Sequence, residues 1–399
     1  MIEQRAKPEI DSRMSKYQAG GRSGYGINQQ LFILRSIVEH YKYMKMELLM
    51  EFIDLQKAFD KMVLRNIMED LWRKNVRGKI WRNIYIINSK ARISIKTAFG
   101  ETEEVNVGEV LKQGSVLAST LAAMHTDTLS EYSNKGVKYG QITIPQLIFQ
   151  DDIVKFDRSQ ENLQKSNKVL ESFQKYNRMA FHPDKTQIVA KGKTQVMLDG
   201  KLVKNAEKYK YLGDIVNVTD KYSEMINERR NICSGTIAEL VSINYEIQQY
   251  SIVAAVQYVE AIIIPKMMLN AETWNNLTPQ DHEEMEKIQS QAIKRLLHIP
   301  YTTPTKGLYN ELGLMTTKNR IKIKRLIFLW KLLNQDGKLA NQILMQQEEL
   351  PGPTWLKNTM AIAEEIGIPE EMGLEQIKEY KEDEWRKIVK NRVPSLEYE

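Results

Sequence analysis

Hydrophobic and polar positions in the N-terminal half of the chain follow the patterns that are typical of β-strands. ELLMEFID, residues 47–54, is a short apolar run of the kind found in buried strands, whereas apolar and polar residues alternate in ARISIKT, residues 91–97. VMLDGKLV, residues 196–203, carries Asp199 and Gly200 between two apolar ends, which predicts a β-hairpin with a tight turn. We therefore expect several strands in this half.

Helical patterns occur in both halves of the chain. Amphipathic periodicity predicts helices at residues 60–75 and 159–177, and Ser159 is a suitable N-cap for the second of them. From about residue 219 onward nearly every segment has the helical period, and prolines separate the segments. The combined pattern predicts an α+β region followed by an all-helical region.

The segment LIFQDDIVKF, residues 147–156, places two adjacent carboxylates, Asp151 and Asp152, inside an otherwise apolar run. This arrangement fits a hairpin whose tight turn carries Gln150 and Asp151 and presents the carboxylates at its tip. Aspartate is also common in turns that only face solvent, so the pair needs a partner before it indicates chemistry. Asp54 is such a partner, because it ends the first predicted strand and is expected at the edge of a sheet.

Carboxylates at the ends of two strands are suited to binding Mg²⁺. This hard cation prefers oxygen ligands and needs only one or two protein carboxylates, because waters and substrate phosphates complete its shell. Two such ions, about 3.5 to 4 Å apart, hold the attacking and leaving oxygens during phosphoryl transfer. The set Asp54, Asp151 and Asp152 therefore predicts a nucleotidyl-transfer site with two Mg²⁺ ions, for which Mn²⁺ is an alternative.

Composition restricts the number of domains, the possible partners and the cellular compartment, but it does not decide the function. The chain has 399 residues, 42% of them hydrophobic, which is enough for two or three domains with real cores. A net charge of +6 is compatible with a polyanionic partner but does not require one. The single cysteine, Cys233, excludes an internal disulfide and is most simply a small core residue. With no apolar run near the roughly 20 residues of a membrane span and no signal peptide, we expect an intracellular protein, nuclear or cytoplasmic, with no membrane partner.

Five short motifs occur in a fixed order along the chain. They are FIDLQKAFD, LKQGSVLAS, FQDD, FHPDKTQIV and YKYLG. In this order and spacing the chain resembles a reverse transcriptase and, more narrowly, the polymerase of non-LTR (LINE-like) retrotransposons. The upstream segment KYQAGGRSGYG is similar to a segment that precedes the palm of that family, and AETWNNLTPQ is similar to the helical region that follows it.

The resemblance implies roles for individual residues. It implies that Asp54, Asp151 and Asp152 bind the metal ions and that Lys185 lies near the leaving pyrophosphate. The other implied sites are an incoming-nucleotide and template site at Phe59, Gln113 and Gly114, and a primer grip at Tyr211, Leu212 and Gly213. The implied partners are an RNA template, a DNA primer and deoxynucleoside triphosphates, with an element-encoded endonuclease on another chain or segment.

The resemblance also implies a domain order. Residues 1–45 are expected to be remnant fingers and a palm-entry helix, 46–217 the palm with its antiparallel sheet, 218–350 a helical thumb and connection, and 351–399 a helical tail. Basic clusters on the predicted thumb helices are candidate contacts to the RNA backbone, although such clusters are more often a solvated helix face. They are Arg229, Arg230, Lys294, Arg295, Lys322, Lys324 and Arg325.

Two departures from the family pattern leave an alternative open. Gln150 stands where the family has an alanine, and we expect this longer side chain to crowd the hairpin turn. The fingers segments with the basic triphosphate clamp would precede residue 1, so the chain is expected to be truncated at its N-terminus, with Arg22 and Arg13 as the nearest substitutes. The alternative is an inactive or domesticated relic of a retroelement that at most binds RNA.

Overall fold

A computed structural model describes residues 2–56, 61–107, 110–111, 114–132, 135–246, 251–369 and 372–393. The chain divides into two compact units, Met1–Leu212 and Gly213–Glu399. Within the described ranges, no helix combines the length and the apolar character needed to cross a bilayer. The four functional domains expected from the sequence stay predictions, because a division into compact units assigns no function to them.

The first unit mixes helices and short strands. Among its described residues the helices are α1 (Ile2–Arg13), α2 (Ile27–Tyr43), α3 (Leu64–Arg73), α4 (Gly78–Ser89), α5 (Ala118–Asp127) and α6 (Gln160–Asn177), with a 3₁₀ turn at Thr128–Tyr132. The strands are β1 (Leu49–Ile53), β2 (Arg92–Ile93), β3 (Lys96–Thr97), β4 (Gly100–Glu101), β5 (Val105–Asn106), β6 (Val137–Tyr139), β7 (Ile142–Ile144), β8 (Gln146–Phe149), β9 (Asp152–Asp157), β10 (Gln187–Val189), β11 (Met197–Leu198), β12 (Lys201–Leu202), β13 (Lys204–Ala206) and β14 (Lys208–Tyr211).

A five-stranded sheet in the order β13-β10-β1-β9-β8 organises this unit. The pairs β10–β1, β1–β9 and β9–β8 are antiparallel, and the edge pair β10–β13 is parallel. All five residues of the central strand β1 are buried, which explains its unbroken apolar pattern. The predicted α+β class is confirmed, and the parallel edge pair is an addition to the antiparallel sheet that we expected.

The two faces of β1 have different neighbours because successive side chains of a strand point in opposite directions. Leu49 and Ile53 belong to the core that α3, α5 and α6 share with the sheet. Phe52 points the other way and stacks on Tyr209, with ring centroids 4.3 Å apart. Burial of each aliphatic side chain of this core contributes about 1.5 to 3 kcal/mol to the stability of the fold. Packing against the helices therefore fixes the position of the sheet and of the residues at its edge.

A polar group is buried on the helix-facing side of the sheet, at Glu51. Lys155 is its register partner on β9. Asn167 of α6 joins the two, since its Oδ1 accepts from Lys155 Nζ at 3.1 Å and its Nδ2 donates to Glu51 Oε1 at 2.8 Å. The hydrogen bonds offset part of the cost of burying these charges.

Several local predictions are confirmed. The run at 47–54 contains β1, and the hairpin at 196–203 forms as β11 and β12. In its turn Asp199 and Gly200 have φ values of 52° and 71°, as a two-residue turn with both φ angles positive requires. Ser159 occupies the N-cap position of α6 but makes no side-chain cap bond, and the neighbouring Asp157 instead accepts from its backbone N–H at 2.9 Å.

The strand predicted at 91–97 is wrong in extent and in burial. The segment splits into β2 and β3, each two residues long. Of its alternating apolar residues, Ala91 is buried, but Ile93 and Ile95 are exposed. Alternation predicts a half-buried strand only where a core covers one face, and here the segment runs through small two-stranded ladders outside the main sheet.

The second unit is almost entirely helical, as the sequence predicts. Its described elements are β15 (Asp214–Asn217), α7 (Ser223–Glu246), α8 (Ile252–Tyr258), a π-helical turn at Val259–Ile263, α9 (Ile264–Met267), a 3₁₀ turn at Ala271–Thr273, α10 (Pro279–Leu296), α11 (Thr305–Leu312), α12 (Thr317–Leu333), α13 (Leu339–Glu349), α14 (Trp355–Glu365), α15 (Leu374–Glu379) and α16 (Glu382–Arg392). Cys233 is fully buried in its core, which confirms the structural role predicted for it.

Candidate active site

Asp54 lies at the point where the central strand β1 ends. Its carbonyl oxygen accepts from the backbone N–H of His182 at 2.9 Å, and its own N–H donates to Thr186 Oγ1 at 3.5 Å. The side chain keeps 23% of its surface exposed. The FHPDKT loop therefore fixes the backbone of Asp54 and leaves the carboxylate accessible.

Asp151 and Asp152 are presented by the hairpin of β8 and β9, so the hairpin predicted for this segment is confirmed. Gln150 and Asp151 form the turn, and Asp152 opens β9 opposite Phe149. Gln150 takes the left-handed conformation with φ 60°. Because Ile53 and Ile153 are register partners on antiparallel strands, Asp54 lies next to Asp152 at the same end of the sheet.

The Gln150 side chain does not crowd this turn. Its Nε2 donates to Ser119 Oγ at 2.7 Å. The expectation that it disturbs the hairpin is therefore wrong for this structure, since the amide reaches across to the start of α5 and ties the turn to that helix.

The pKa values of the carboxyl groups at this site depend on burial and on the neighbouring charges. Burial, together with the charges of Asp151 and Asp54, raises the pKa of Asp152 to about 6, although the charge of Lys185 opposes the shift. Burial is also the largest cause that raises the pKa of Asp151, with Asp54 adding to it. Burial and the charges of Asp54 and Asp152 raise the pKa of Tyr209 to about 12. The site therefore holds excess negative charge, which a cation would stabilise.

Lys185 is the nearby positive charge. Its Nζ lies 3.5 Å from Asp54 Oδ1, and 61% of its side chain is exposed. The loop is held locally, since the N–H of Thr186 donates to the carbonyl of His182 at 2.9 Å. The structure thus brings together four residues that are far apart in sequence, namely Asp54, Asp151, Asp152 and Lys185.

The chemistry of these donors fits a hard divalent cation. They offer carboxylate oxygens only, they are partly exposed, and their mutual repulsion is only partly relieved by Lys185. Among the described residues, no three or more acidic, histidine or cysteine side chains converge closely enough to enclose an ion. A closed cage is not needed for Mg²⁺, because waters and substrate phosphates complete its coordination.

Comparison with known families agrees with this geometry. Residues 1–216 match the family model described as reverse transcriptase (RNA-dependent DNA polymerase). The chain belongs to the reverse transcriptase family. The matched residues include every carboxylate of the site and Lys185, so the residues that the fold gathers lie within the family region. No curated protein matches the sequence.

Solved structures similar to this chain include telomerases. Telomerase from Candida tropicalis in complex with the TWJ fragment of telomeric RNA is 12% identical with a TM-score of 0.46, covering 97% of this chain and 56% of that one. Apo telomerase from Candida tropicalis is 10% identical with a TM-score of 0.43, covering 94% and 60%. Telomerase from Candida albicans with the TWJ fragment is 8% identical with a TM-score of 0.41, covering 87% and 56%. The chain thus spans little more than half the length of these structures.

The remaining predicted nucleotide and primer residues of the reverse transcriptase region fall into two groups. Phe59 and Gln113 lie outside the described residues. Gly114 has a φ of 82°, a conformation that favours glycine, and Leu212 and Gly213 have φ values of 47° and 83°. The roles of all of them stay predictions.

Tyr211, the first residue of the predicted primer grip, is fully buried next to the active-site sheet. Its ring lies 5.5 Å from that of Phe52, at a tilt of 53°. Burial raises the pKa of its hydroxyl well above the ordinary value, with the charge of Asp152 as a further cause. The hydroxyl has no hydrogen-bond partner among the described residues. Tyr211 therefore has a packing role next to the active-site sheet, and its part in a primer grip stays a prediction.

Arg22 holds its own segment together. Its guanidinium donates to the carbonyl oxygens of Ser15, Gln18 and Asp11 at 2.6, 2.8 and 2.8 Å. It also lies over the ring of Tyr25 at 4.3 Å. Both Nη atoms of Arg22 are thus used within its own segment, and its predicted role as a substitute triphosphate clamp stays a prediction.

Four of the basic residues predicted to contact RNA are interior. Arg229, Lys294, Lys322 and Arg325 are all buried in the second unit. Arg325, for example, donates to the carbonyl oxygens of Trp274 and Trp355 at 2.8 and 2.9 Å. For these four the prediction is wrong, since a guanidinium or ammonium that is buried and hydrogen-bonded within its own unit is not at the surface.

The remaining three basic residues are more accessible. Arg230 pairs with Glu284, and Lys324 Nζ lies 3.2 Å from Glu272 Oε2. Arg295 is half-buried. A role for these three on nucleic acid stays a prediction.

Sequence reasoning missed the residues that brace the acidic hairpin. Gln18 Oε1 accepts from the backbone N–H of Gln150 at 3.2 Å and of Gly20 at 2.9 Å. Its Nε2 donates to the carbonyl of Ala123 at 3.1 Å in α5. Ala19 N–H donates to the carbonyl of Ile148 at 2.9 Å, so the QAG segment lies along the outer edge of β8. The resemblance of this segment to the family indicated that the segment matters. It did not show which residues the segment contacts.

Gly20 is required for this close approach. A Cβ at residue 20 would lie 2.3 Å from the backbone nitrogen of Gln150 and 2.8 Å from the carbonyl carbon of Phe149. Both contacts are with backbone, which cannot move aside as a side chain tip can. Gly20 is therefore a positioning residue for the hairpin that carries Asp151 and Asp152.

Proposed function

We propose that this chain is an RNA-directed DNA polymerase that adds deoxynucleotides to a primer 3′-hydroxyl. The observation that carries the proposal is the antiparallel register of β1 and β9, by which Asp54 lies beside Asp152 within the family region. Carboxylates at the accessible end of a sheet can bind the two metal ions that phosphoryl transfer uses, and a lysine lies beside them.

Asp54 and Asp151 would hold two Mg²⁺ ions, or Mn²⁺, with Asp152 supporting them. Bound ions would supply charge stabilisation for the attacking and leaving oxygens. Lys185 would donate a proton to the leaving pyrophosphate, which its exposed position beside Asp54 supports. Phe59 would exclude a 2′-hydroxyl, Gln113 and Gly114 would contact base or template, and Tyr211, Leu212 and Gly213 would grip the primer.

We propose further that the polymerase derives from a non-LTR (LINE-like) element, that residues 218–350 form its thumb and connection, and that residues 351–399 form a helical tail. The ordered motifs support the subtype, and the brace of Gln18 on the acidic hairpin gives the QAG segment a structural task. RNA template, DNA primer and deoxynucleotides would be its partners, with an endonuclease supplied elsewhere. A preference for RNA over DNA templates in extension assays tests the template assignment.

Primer extension on poly(rA) and oligo(dT) with Mg²⁺ or Mn²⁺ tests the central proposal. The Asp151→Asn, Asp152→Asn double variant is expected to lose at least about 100-fold in extension rate, because the ligands at the reacting phosphates are removed. Asp199→Asn is the matched control, since it changes an aspartate in another hairpin turn of the same unit. Equal extension by the wild type and the double variant would refute the proposal.

A further inference from the structure

One short segment accounts for the net positive charge of the chain. Residues 61–92 contain nine lysines and arginines and two acidic residues, a net charge of +7, whereas the whole chain has +6. The remaining residues together carry a net charge of −1. A local excess of this size indicates a surface for a polyanion far more specifically than the overall charge does.

The same segment forms an aromatic groove. Helices α3 and α4 line a groove of about 930 Å³ with Trp72, Trp81 and Tyr85. Trp81 and Tyr85 stack with a tilt of 10° at 5.9 Å, and Trp72 meets Trp81 edge-on at 5.9 Å. Trp72 and Tyr85 are 51% and 47% exposed. Large aromatic side chains in a core lose nearly all of their exposure, so these rings are not serving as core residues.

One aromatic of the groove is held in place by the protein itself. Trp81 Nε1 donates to the carbonyl of Met68 at 2.8 Å. This bond connects α4 to α3 and orients the Trp81 ring, on which Tyr85 stacks. The platform is therefore formed before any ligand arrives, which lowers the entropy cost of binding.

Basic side chains lie close to the aromatic residues in the sequence of this segment, and one of them contacts a ring. The Arg77 guanidinium lies over the Trp72 ring, 4.7 Å from its centroid. Arg77, Lys79 and Arg82 are exposed, and none of them pairs with a carboxylate in the described parts of the chain. By contrast, Arg65 and Arg73 are neutralised by Glu69 and Glu131. The charge of Arg77, Lys79 and Arg82, which no described carboxylate compensates, thus lies at the end of the connection from α3 and in the first half of α4.

We propose that this groove binds single-stranded nucleic acid, with bases stacked on Trp72 and Tyr85 and phosphates on Arg77, Lys79 and Arg82. Stacking faces next to unpaired cations are the combination that sequence-tolerant single-strand binding uses. The groove shares no lining residue with the carboxylate site. A protein partner that covered only the apolar surface would leave the charges of these three residues uncompensated, so the charge favours nucleic acid.

The test is binding of short single-stranded oligonucleotides, (rU)₈ and (dT)₈, to the full chain without divalent ions or nucleotides. Fluorescence anisotropy of the oligonucleotide gives the affinity. Trp72→Ala, Tyr85→Ala is expected to weaken binding by about tenfold or more. Trp72→Phe is expected to restore most of the loss at that position, because phenylalanine keeps a stacking face. Thermal unfolding of each variant verifies that it is folded.

The charge component is tested separately. Arg77→Ala, Lys79→Ala, Arg82→Ala is expected to lower the slope of log affinity against log salt by about 2, since single strands lose about 0.7 for each phosphate contact. The matched control replaces three other exposed lysines of the same unit with alanine, namely Lys168, Lys175 and Lys191. This control is expected to leave the slope unchanged.

The proposal does not depend on polymerase activity. Binding is measured without divalent ions and deoxynucleotides, and Asp199→Asn, which lies in a separate hairpin turn, is expected to bind the oligonucleotides like the wild type. Equal affinity of the wild type and the Trp72→Ala, Tyr85→Ala variant would overturn the proposal. It would also be overturned if that variant abolished self-association or capture of an apolar peptide while oligonucleotide binding stayed the same, because the groove would then be a protein-docking surface.

Discussion

Charged side chains are used in opposite ways in the two units of the molecule. In the first unit, Asp54, Asp151 and Asp152 lie together with the same sign and partial exposure. In the second unit, Arg229 and Asp214 are both buried and pair at 2.8 Å. Unbalanced charge at a surface is costly and indicates a missing counter-charge, whereas balanced charge in the interior indicates architecture. A cluster of charges in a sequence can therefore mean either a site or a structural pair.

The largest expected effect tests the structural side of this comparison. Arg229→Ala is expected to lower the free energy of unfolding by about 3 to 5 kcal/mol, because it removes the positive charge that is paired with the buried carboxylate of Asp214. Arg230→Ala, the next residue on the same helix, removes a half-exposed pair with Glu284 and is expected to cost less than about 1 kcal/mol. Urea unfolding measures both. Equal losses would show that the burial of Arg229 has no energetic consequence.

A smaller effect is expected from the brace beneath the acidic hairpin. Gly20→Ala forces a Cβ against the backbone of Gln150 and is expected to cost about 1 to 3 kcal/mol and to reduce primer extension as the hairpin shifts. Gly192→Ala is the control, because nothing lies within 4 Å of a Cβ at that position. Unfolding and extension assays on both variants give the result. If Gly20→Ala extended primers normally, the brace would have no role in positioning the carboxylates.

The buried Lys155 gives a pH dependence of stability. Burial lowers its pKa to about 8, and the charges of Glu51 and Asp157 only partly oppose this. An unfolded lysine holds its proton up to about pH 10.4, so the folded chain binds fewer protons between these values. The contribution of Lys155 to stability therefore rises as the pH increases from about 8 to 10, by at most about 1.4 kcal/mol per pH unit.

The pH dependence that Lys155 causes is measured by comparing the wild type with variants that lack a lysine. Lys155→Met is expected to lose the rise that the wild type shows in urea unfolding at pH 7.5, 8.5 and 9.5. Lys168→Met on the exposed face of α6 is expected to retain it. If Lys155→Met kept the same slope as the wild type, the buried lysine would not be the group that titrates.

The smallest expected effect concerns the unbalanced carboxylates. Asp152→Asn is expected to leave the stability unchanged or raise it by up to about 1 kcal/mol without divalent ions, because it removes one of three like charges. Added Mg²⁺ is expected to raise the melting temperature of the wild type and much less that of the variant, since only a bound ion stabilises the folded state. Identical responses to Mg²⁺ would contradict the assignment of Asp152 to the ions.

Local patterns predicted local structure well in this chain. The central strand, the hairpin at Asp199 and Gly200, and α6 formed where periodicity and turn chemistry placed them. The prediction at 91–97 was wrong because alternation describes which residues would face a core, and no core covers Ile93 and Ile95. The acidic hairpin was recognised for the same reason as the others, since its turn residues interrupt two apolar runs.

The α+β and helical halves, the hairpin that carries Asp151 and Asp152, and the order of the family motifs could all be predicted from the amino-acid sequence. The position of Asp54 beside Asp152, the need for glycine at residue 20 and the burial of Arg229 and Arg325 became known from the folded structure. Periodicity and turn preferences act between residues a few positions apart, so a single sequence shows them directly. Strand register, burial of charge and close backbone approach join residues more than ten positions apart, and the packing of the whole unit fixes them.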